Sequence, residues 1–140
     1  YNALVLGVPE EAEGSLTTFI GPSEEKRNCM AVVSSERTGR VATTGYRVLQ
    51  SLNGAALVEF RLKTGRTHQI RVQLAYIGHA VIGDALYSPR KRISGVEVER
   101  QMLHASRLTF THPESEKRFC FEAPLPDDML ACIKNLRECM

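Results

Sequence analysis

Asn53-Gly54, set between "TTGYRVLQSL" and "AALVEFRLK", restricts what this chain can become more than any other feature. Both flanking arms have β character, and Asn-Gly accepts the positive φ that a type I′ turn demands, so residues 43–63 are expected to form an antiparallel hairpin. In its second arm Ala56, Val58, Phe60 and Leu62 fall on one face, with Glu59, Arg61 and Lys63 on the other. Immediately afterwards the period changes from two to about 3.6. Ile70, Leu74 and Ile77 recur at i, i+4 and i+7, which predicts a helix from near Thr67 to near Gly78.

Around this unit the rest of the chain reads as short strands. "YNALVLGV" alternates, carries no basic leader and reads as a strand at whose start the natural chain is expected to continue upstream. "VPEEAEGS" is an acidic loop; "LTTFIG" and "CMAVVS" are strands divided by the charged turn "GPSEEKRN". Val81 and Ile82 resume extended structure before a loop whose Arg90-Lys91-Arg92 run reads as a solvated tip. "QMLHASRLTFTHP" and "RFCFEA" form another strand pair, and Asp127 to Cys139 reads as a helix with acids in its first turn, Lys134 and Arg137 near its last, and Leu130, Ile133 and Leu136 as its buried stripe. The pattern is α+β: one domain over residues 1–140, with a mostly antiparallel sheet and few flanking helices.

The 43% hydrophobic content can fill one core in 140 residues, and no apolar run is long enough to cross a bilayer. Cys29, Cys120, Cys132 and Cys139 lack Cys-x-x-Cys spacing and lie near no His at finger-like spacing, so a structural zinc site has no support and reduced, mostly packed thiols are expected, Cys120 among them. Such usage points to an intracellular, cytoplasmic protein, with a mitochondrial or nuclear location open for a eukaryotic source. The net charge of +2 conceals an uneven distribution: residues 27–118 hold fifteen of the eighteen Lys and Arg. A polyanion such as nucleic acid is one reading of that surplus and solvated strand faces are the other.

The cations concentrate where the hairpin hands over to the helix, at Arg61, Lys63, Arg66, His68 and Arg71. A helix N-terminus leaves N–H groups unpaired and carries partial positive charge, and Gly65 permits close backbone approach, so the junction suits an anion. Arg71 lies roughly 60 to 100° round the helix from the apolar stripe and flanks the buried face. A guanidinium held there needs an anionic partner, and a framework carboxylate is the simplest one. Arg66, His68 and Gln69 either bind phosphate or fix the loop by hydrogen bonds; His79, His104 and His112 read as structural.

"LKTGRTHQIRVQLAYIGHAVIGDALY", Leu62 to Tyr87, resembles the signature segment of RluA-type RNA pseudouridine synthases. "YNALVLG", "ATTGYRVL" and "MLHASRLTFTHP" followed by "FEAPLPDDM" resemble that family's flanking segments, so the likeness covers nearly the whole chain. Gln73 and Ala80 depart from it, standing where the family usually has His and Pro. The resemblance implies part of a pseudouridine synthase catalytic domain, its C-terminal portion, that isomerises uridine in structured RNA, rRNA or tRNA, without metal or cofactor; a monomer is expected, with no membrane association. It implies that Arg71 and Tyr1 are catalytic, Arg71 pairing with an aspartate nucleophile and Tyr1 lying against the flipped base, and that Lys63, Arg66, His68 and Gln69 face RNA.

The family's nucleophile lies in an Arg-Leu-Asp motif before the Tyr-x-Ala-x-Val-x-Gly strand. The aspartates here are Asp84, Asp127 and Asp128, and none follows Arg-Leu. The 140 residues alone are therefore expected to be inactive, with the motif upstream of Tyr1. If it has been lost, a non-catalytic RNA-binding module of the same fold is the alternative.

Overall fold

A computed structural model describes residues 1–88, 92–93 and 96–138. In chain order the elements are β1 (Asn2–Leu6), β2 (Glu13–Pro22), β3 (Met30–Val33), β4 (Arg40–Leu52), β5 (Ala55–Leu62), α1 (Gln69–Tyr76), β6 (Arg92–Ile93), β7 (Val96–Glu97), β8 (Leu103–His104), β9 (Arg107–Thr111), β10 (Arg118–Glu122) and α2 (Asp127–Glu138). Six of the strands form one antiparallel sheet in the order β3-β2-β4-β5-β1-β8. The α+β expectation therefore holds. Neither helix is long and apolar enough to cross a membrane.

Strand alternation sends the two helices to opposite faces of the sheet. Ala3 and Val5 of β1 and Ala56, Val58 and Phe60 of β5 pack with Ile70 and Leu74 of α1. Their alternates Leu4, Ala55 and Leu57 pack with Met129, Cys132, Ile133 and Leu136 of α2. This is why Ala55 to Val58 reads as a continuous apolar run: these four residues are covered on both sides. The stripe of α2 is shifted from the expected one. Leu130 is 49% exposed and Met129 is fully buried in its place, because the helix meets the sheet along positions 129, 132, 133 and 136.

The hairpin forms with its predicted two-residue turn, but that turn is not type I′. Gly54 has φ +68°, whereas Asn53 is not among the non-glycine residues with positive φ. A contact from outside the hairpin bears on the turn, Gly54 O accepting a hydrogen bond from Gly7 N at 2.7 Å, and within the hairpin the ladder shifts register between Val48 and Gln50. On the predicted apolar face Leu62, the last residue of β5, is 36% exposed.

Among the described residues β9 and β10 pair only with each other, and all ten of their own residues are exposed. Phe110, Phe119 and Phe121 stack on one face of this hairpin with ring centroids 5.7 to 6.2 Å apart. Cys120 lies in the same ladder opposite Thr109 and is exposed, contrary to the packed thiol expected; Cys29 and Cys132 are buried, and all three are free. Arg90, Lys91 and Cys139 lie outside the described residues.

Candidate active site at the head of helix α1

The expected start of α1 near Thr67 moves to Gln69, for a local reason. His68, the residue before the helix, takes a left-handed conformation (φ 55°, ψ 25°), which interrupts helical propagation. The Gln69 side chain reaches back instead, its Oε1 accepting from Arg66 N at 2.9 Å and from Thr64 Oγ1 at 2.8 Å. Its Nε2 donates to Thr43 O at 3.1 Å and Thr44 Oγ1 at 2.8 Å. Both donors and both acceptor positions of this amide are thus occupied within the protein, and Gln69 is 3% exposed. The expected RNA contact by Gln69 is corrected: its amide fixes the loop and has no capacity left for a phosphate.

One helical turn on, Gln73 Oε1 accepts from Thr44 Oγ1 at 2.6 Å, and its Nε2 donates to Thr18 Oγ1 at 3.0 Å and Ala42 O at 3.1 Å. Gln69 and Gln73 thus form a buried polar seam that pins α1 to β2 and β4. A fully satisfied seam of this kind sets the position of a helix more narrowly than apolar packing alone.

Arg71 projects from the same turn, its side chain 12% exposed. Nε donates to Asp84 Oδ2 at 2.8 Å and Nη2 to Asp84 Oδ1 at 2.7 Å, a bidentate pair with a carboxylate whose side chain is 0% exposed. The Arg71 guanidinium carbon also sits 5.2 Å from the Tyr87 ring centroid. Asp84 is thus the framework carboxylate expected as the simplest partner of Arg71, and an aspartate from outside these 140 residues would be a second acceptor. A framework acid, 13 positions away in sequence, already accounts for its charge and its burial.

Asp84 and Tyr87 belong to one turn. Asp84 Oδ1 accepts from Leu86 N at 3.0 Å and Tyr87 N at 3.2 Å. The Tyr87 hydroxyl accepts from Met30 N at 2.9 Å and lies 2.8 Å from His68 Nδ1. Gly83 before it takes φ +80°, where an added Cβ would also run into the Arg100 carbonyl. Burial and the Arg71 charge push the His68 imidazole below its ordinary pKa, against a smaller opposing pull from Asp84. Burial raises the Asp84 pKa, but hydrogen bonds from Arg71, Leu86 N and Tyr87 N together with the Arg71 charge outweigh it, and the carboxyl ends below its ordinary 3.8.

That depression has a testable sign. A lowered folded-state pKa contributes stability above the unfolded value of 3.8, lost as pH falls through the folded value beneath it. Urea midpoints of the wild type and Asp84→Asn should therefore differ at neutral pH and converge as pH drops below that value. A gap that persists undiminished to pH ~2 would contradict an ionised Asp84, given the ordinary carboxylate range.

The remaining expected residues are placed as follows. Arg66 donates through Nε to Val41 O at 2.9 Å and is half-buried, which ties its arm to the edge of β4. Lys63 is exposed just past β5. Tyr1 is 40% exposed, and its carbonyl accepts from Phe60 N at 2.7 Å, extending the β1 ladder; alternation puts its side chain on the α1 face with Ala3 and Val5. Among the described residues no hydrogen bond or ring contact joins the Tyr1 phenol to Arg71. Asp84 and Tyr87 were missed as members of the cluster, although both lie inside the Leu62–Tyr87 segment. His79 bonds Leu6 O, His104 bonds Ala123 O, and His112 accepts from Glu114 N and Ser115 N, all structural roles.

A family model described as RNA pseudouridylate synthase matches residues 1–76. An uncharacterized RNA pseudouridine synthase of Bacillus subtilis is 43% identical over 138 residues, covering 99% of this chain and 44% of its own length. The ribosomal large subunit pseudouridine synthase D of Zymomonas mobilis is 40% identical over 141 residues, covering 97% of this chain and 44% of its own. Among solved structures, Human RNA Pseudouridylate Synthase Domain Containing 4 superposes with a TM-score of 0.76 at 26% identity, over 97% of this chain and 60% of that one. The chain thus spans less than half the length of these curated relatives.

Proposed function

Because this chain belongs to the RNA pseudouridylate synthase family, of RluA type, we propose that the whole protein containing it isomerises uridine to pseudouridine in RNA. The observation that carries this reading is the likeness to relatives of that name over 97 to 99% of the chain, site cluster and hairpins included. Isomerisation breaks the N1–C1′ bond, forms C5–C1′, releases the C5 proton to water and leaves a proton on N1. The target nucleotide must leave its stack, at a cost of a few kcal/mol.

In this reading Arg71 turns its remaining N–H groups to an aspartate supplied outside residues 1–140, sharing its charge between that aspartate and Asp84. Tyr1 lies against the flipped base, where stacking contributes about 1–3 kcal/mol. Lys63 and Arg66 track phosphates. His68 offers RNA only the edge that Tyr87 does not occupy. Several relatives carry the name ribosomal large subunit pseudouridine synthase D, which makes large-subunit rRNA the first substrate to try. The protein acts inside the cell, where such RNA is made.

The test uses in vitro transcribed large-subunit rRNA labelled with [5-³H]uridine. The whole protein should release tritium to water and residues 1–140 alone should not. RNA binding without any release from the whole protein would favour a non-catalytic module; release by the 140 residues would place the nucleophile within them.

A further inference from the structure

The Arg71–Asp84 pair uses one edge of the guanidinium and leaves the other unengaged. Nε and one Nη2 hydrogen go to Asp84, so two N–H groups on Nη1 and one on Nη2 point away from that carboxylate. Among the described residues no hydrogen bond engages those three. The bonded edge is held from several sides. Asp84 is 2% exposed and tied to Leu86 N and Tyr87 N. The Tyr87 ring covers the guanidinium, and its hydroxyl is tied in turn to Met30 N of β3 and to His68 at the head of α1.

We infer that Asp84, backed by Tyr87, is a positioning residue for the reaction: it clamps the Nε–Nη2 edge of Arg71 and so aims the free Nη1 end at the reacting carboxylate. The inference rests on the uridine-isomerising reading above. A free arginine side chain samples many rotamers; one clamped along an edge and covered on a face keeps a single direction, which is what a second acceptor arriving from another part of the protein requires. The plainer alternative is that Asp84 only closes the 84–87 turn.

Asp84→Asn separates the two. The introduced amide oxygen can still accept from Leu86 N and Tyr87 N, so the turn survives, but the amide nitrogen beside it would face the Nε–H of Arg71, donor against donor. In the whole protein, on the tritiated large-subunit transcript, kcat should fall about 100-fold, as for a catalytic group displaced by about 1 Å. KM should stay within about threefold, since the lost interaction acts in the transition state rather than in RNA binding. Asp84→Glu restores the charge on a longer arm and should give an intermediate kcat with KM again unchanged; it carries the test if Asp84→Asn does not fold.

A wild-type kcat in Asp84→Asn overturns the inference and leaves the proposed function standing. A raised KM with unchanged kcat also overturns it, by moving Asp84 to RNA binding. No tritium release from the wild type on this transcript or any other RNA removes the reading on which the inference rests, and the inference with it.

Discussion

Arg71→Ala should abolish pseudouridine formation by the whole protein and also lower its folding stability by about 3–5 kcal/mol, the cost of leaving a buried carboxylate without its cation. The stability loss follows from observed geometry: Asp84 has a side chain that is 0% exposed, and Arg71 supplies two of the hydrogen bonds it accepts. Lost turnover alone would therefore be ambiguous between chemistry and unfolding. The double variant Arg71→Ala/Asp84→Asn resolves it, because removing the orphaned charge should recover much of the stability while activity stays absent. The two sites touch, so their effects on stability should be strongly non-additive. Turnover by a folded double variant at a rate near that of the wild type would take Arg71 out of the reaction.

Gln69→Leu is the second large effect, and it separates the two roles the sequence left open for this residue. Leucine removes the acceptor of Arg66 N and of the Thr64 hydroxyl, and takes one donor each from Thr44 Oγ1 and from Thr43 O, the latter keeping its bond from Lys63 N. Leaving such groups unsatisfied costs about 1–3 kcal/mol each where water cannot reach them, so a loss of about 2–4 kcal/mol in urea unfolding is expected, with RNA affinity per folded molecule unchanged. Full stability with weakened RNA binding would restore Gln69 to the RNA-facing set. The departure at Gln73 has the same physical basis: its amide is 1% exposed and bonded to three partners, so a histidine there would need a different arrangement of Thr18 and Thr44.

Strand and helix positions were legible because burial imposes a period on the sequence. Ala56, Val58 and Phe60 alternate on one face of β5, and Ile70 and Leu74 recur one turn apart on α1, as their neighbours in the core require. Periodicity is less informative where a helix can roll by one position. Met129 and Leu130 stand about 100° apart on α2 while Ile133 and Leu136 belong to either stripe, and only the sheet beneath selects Met129. The turn at Asn53-Gly54 was legible as a turn but not by type, since Gly54 is also bonded to Gly7, just past the end of β1 and far away in sequence.

What the sequence determined by itself is the set of local elements, the family likeness, and the concentration of cations where the β4–β5 hairpin meets α1. What only the tertiary structure decided is which acid Arg71 meets, that Gln69 faces inward, and that the β9–β10 phenylalanines stay exposed. The physical reason is range. A period reports which way a side chain faces relative to its neighbours in sequence, whereas a hydrogen-bonded partner 13 or 29 positions away depends on how the chain folds back.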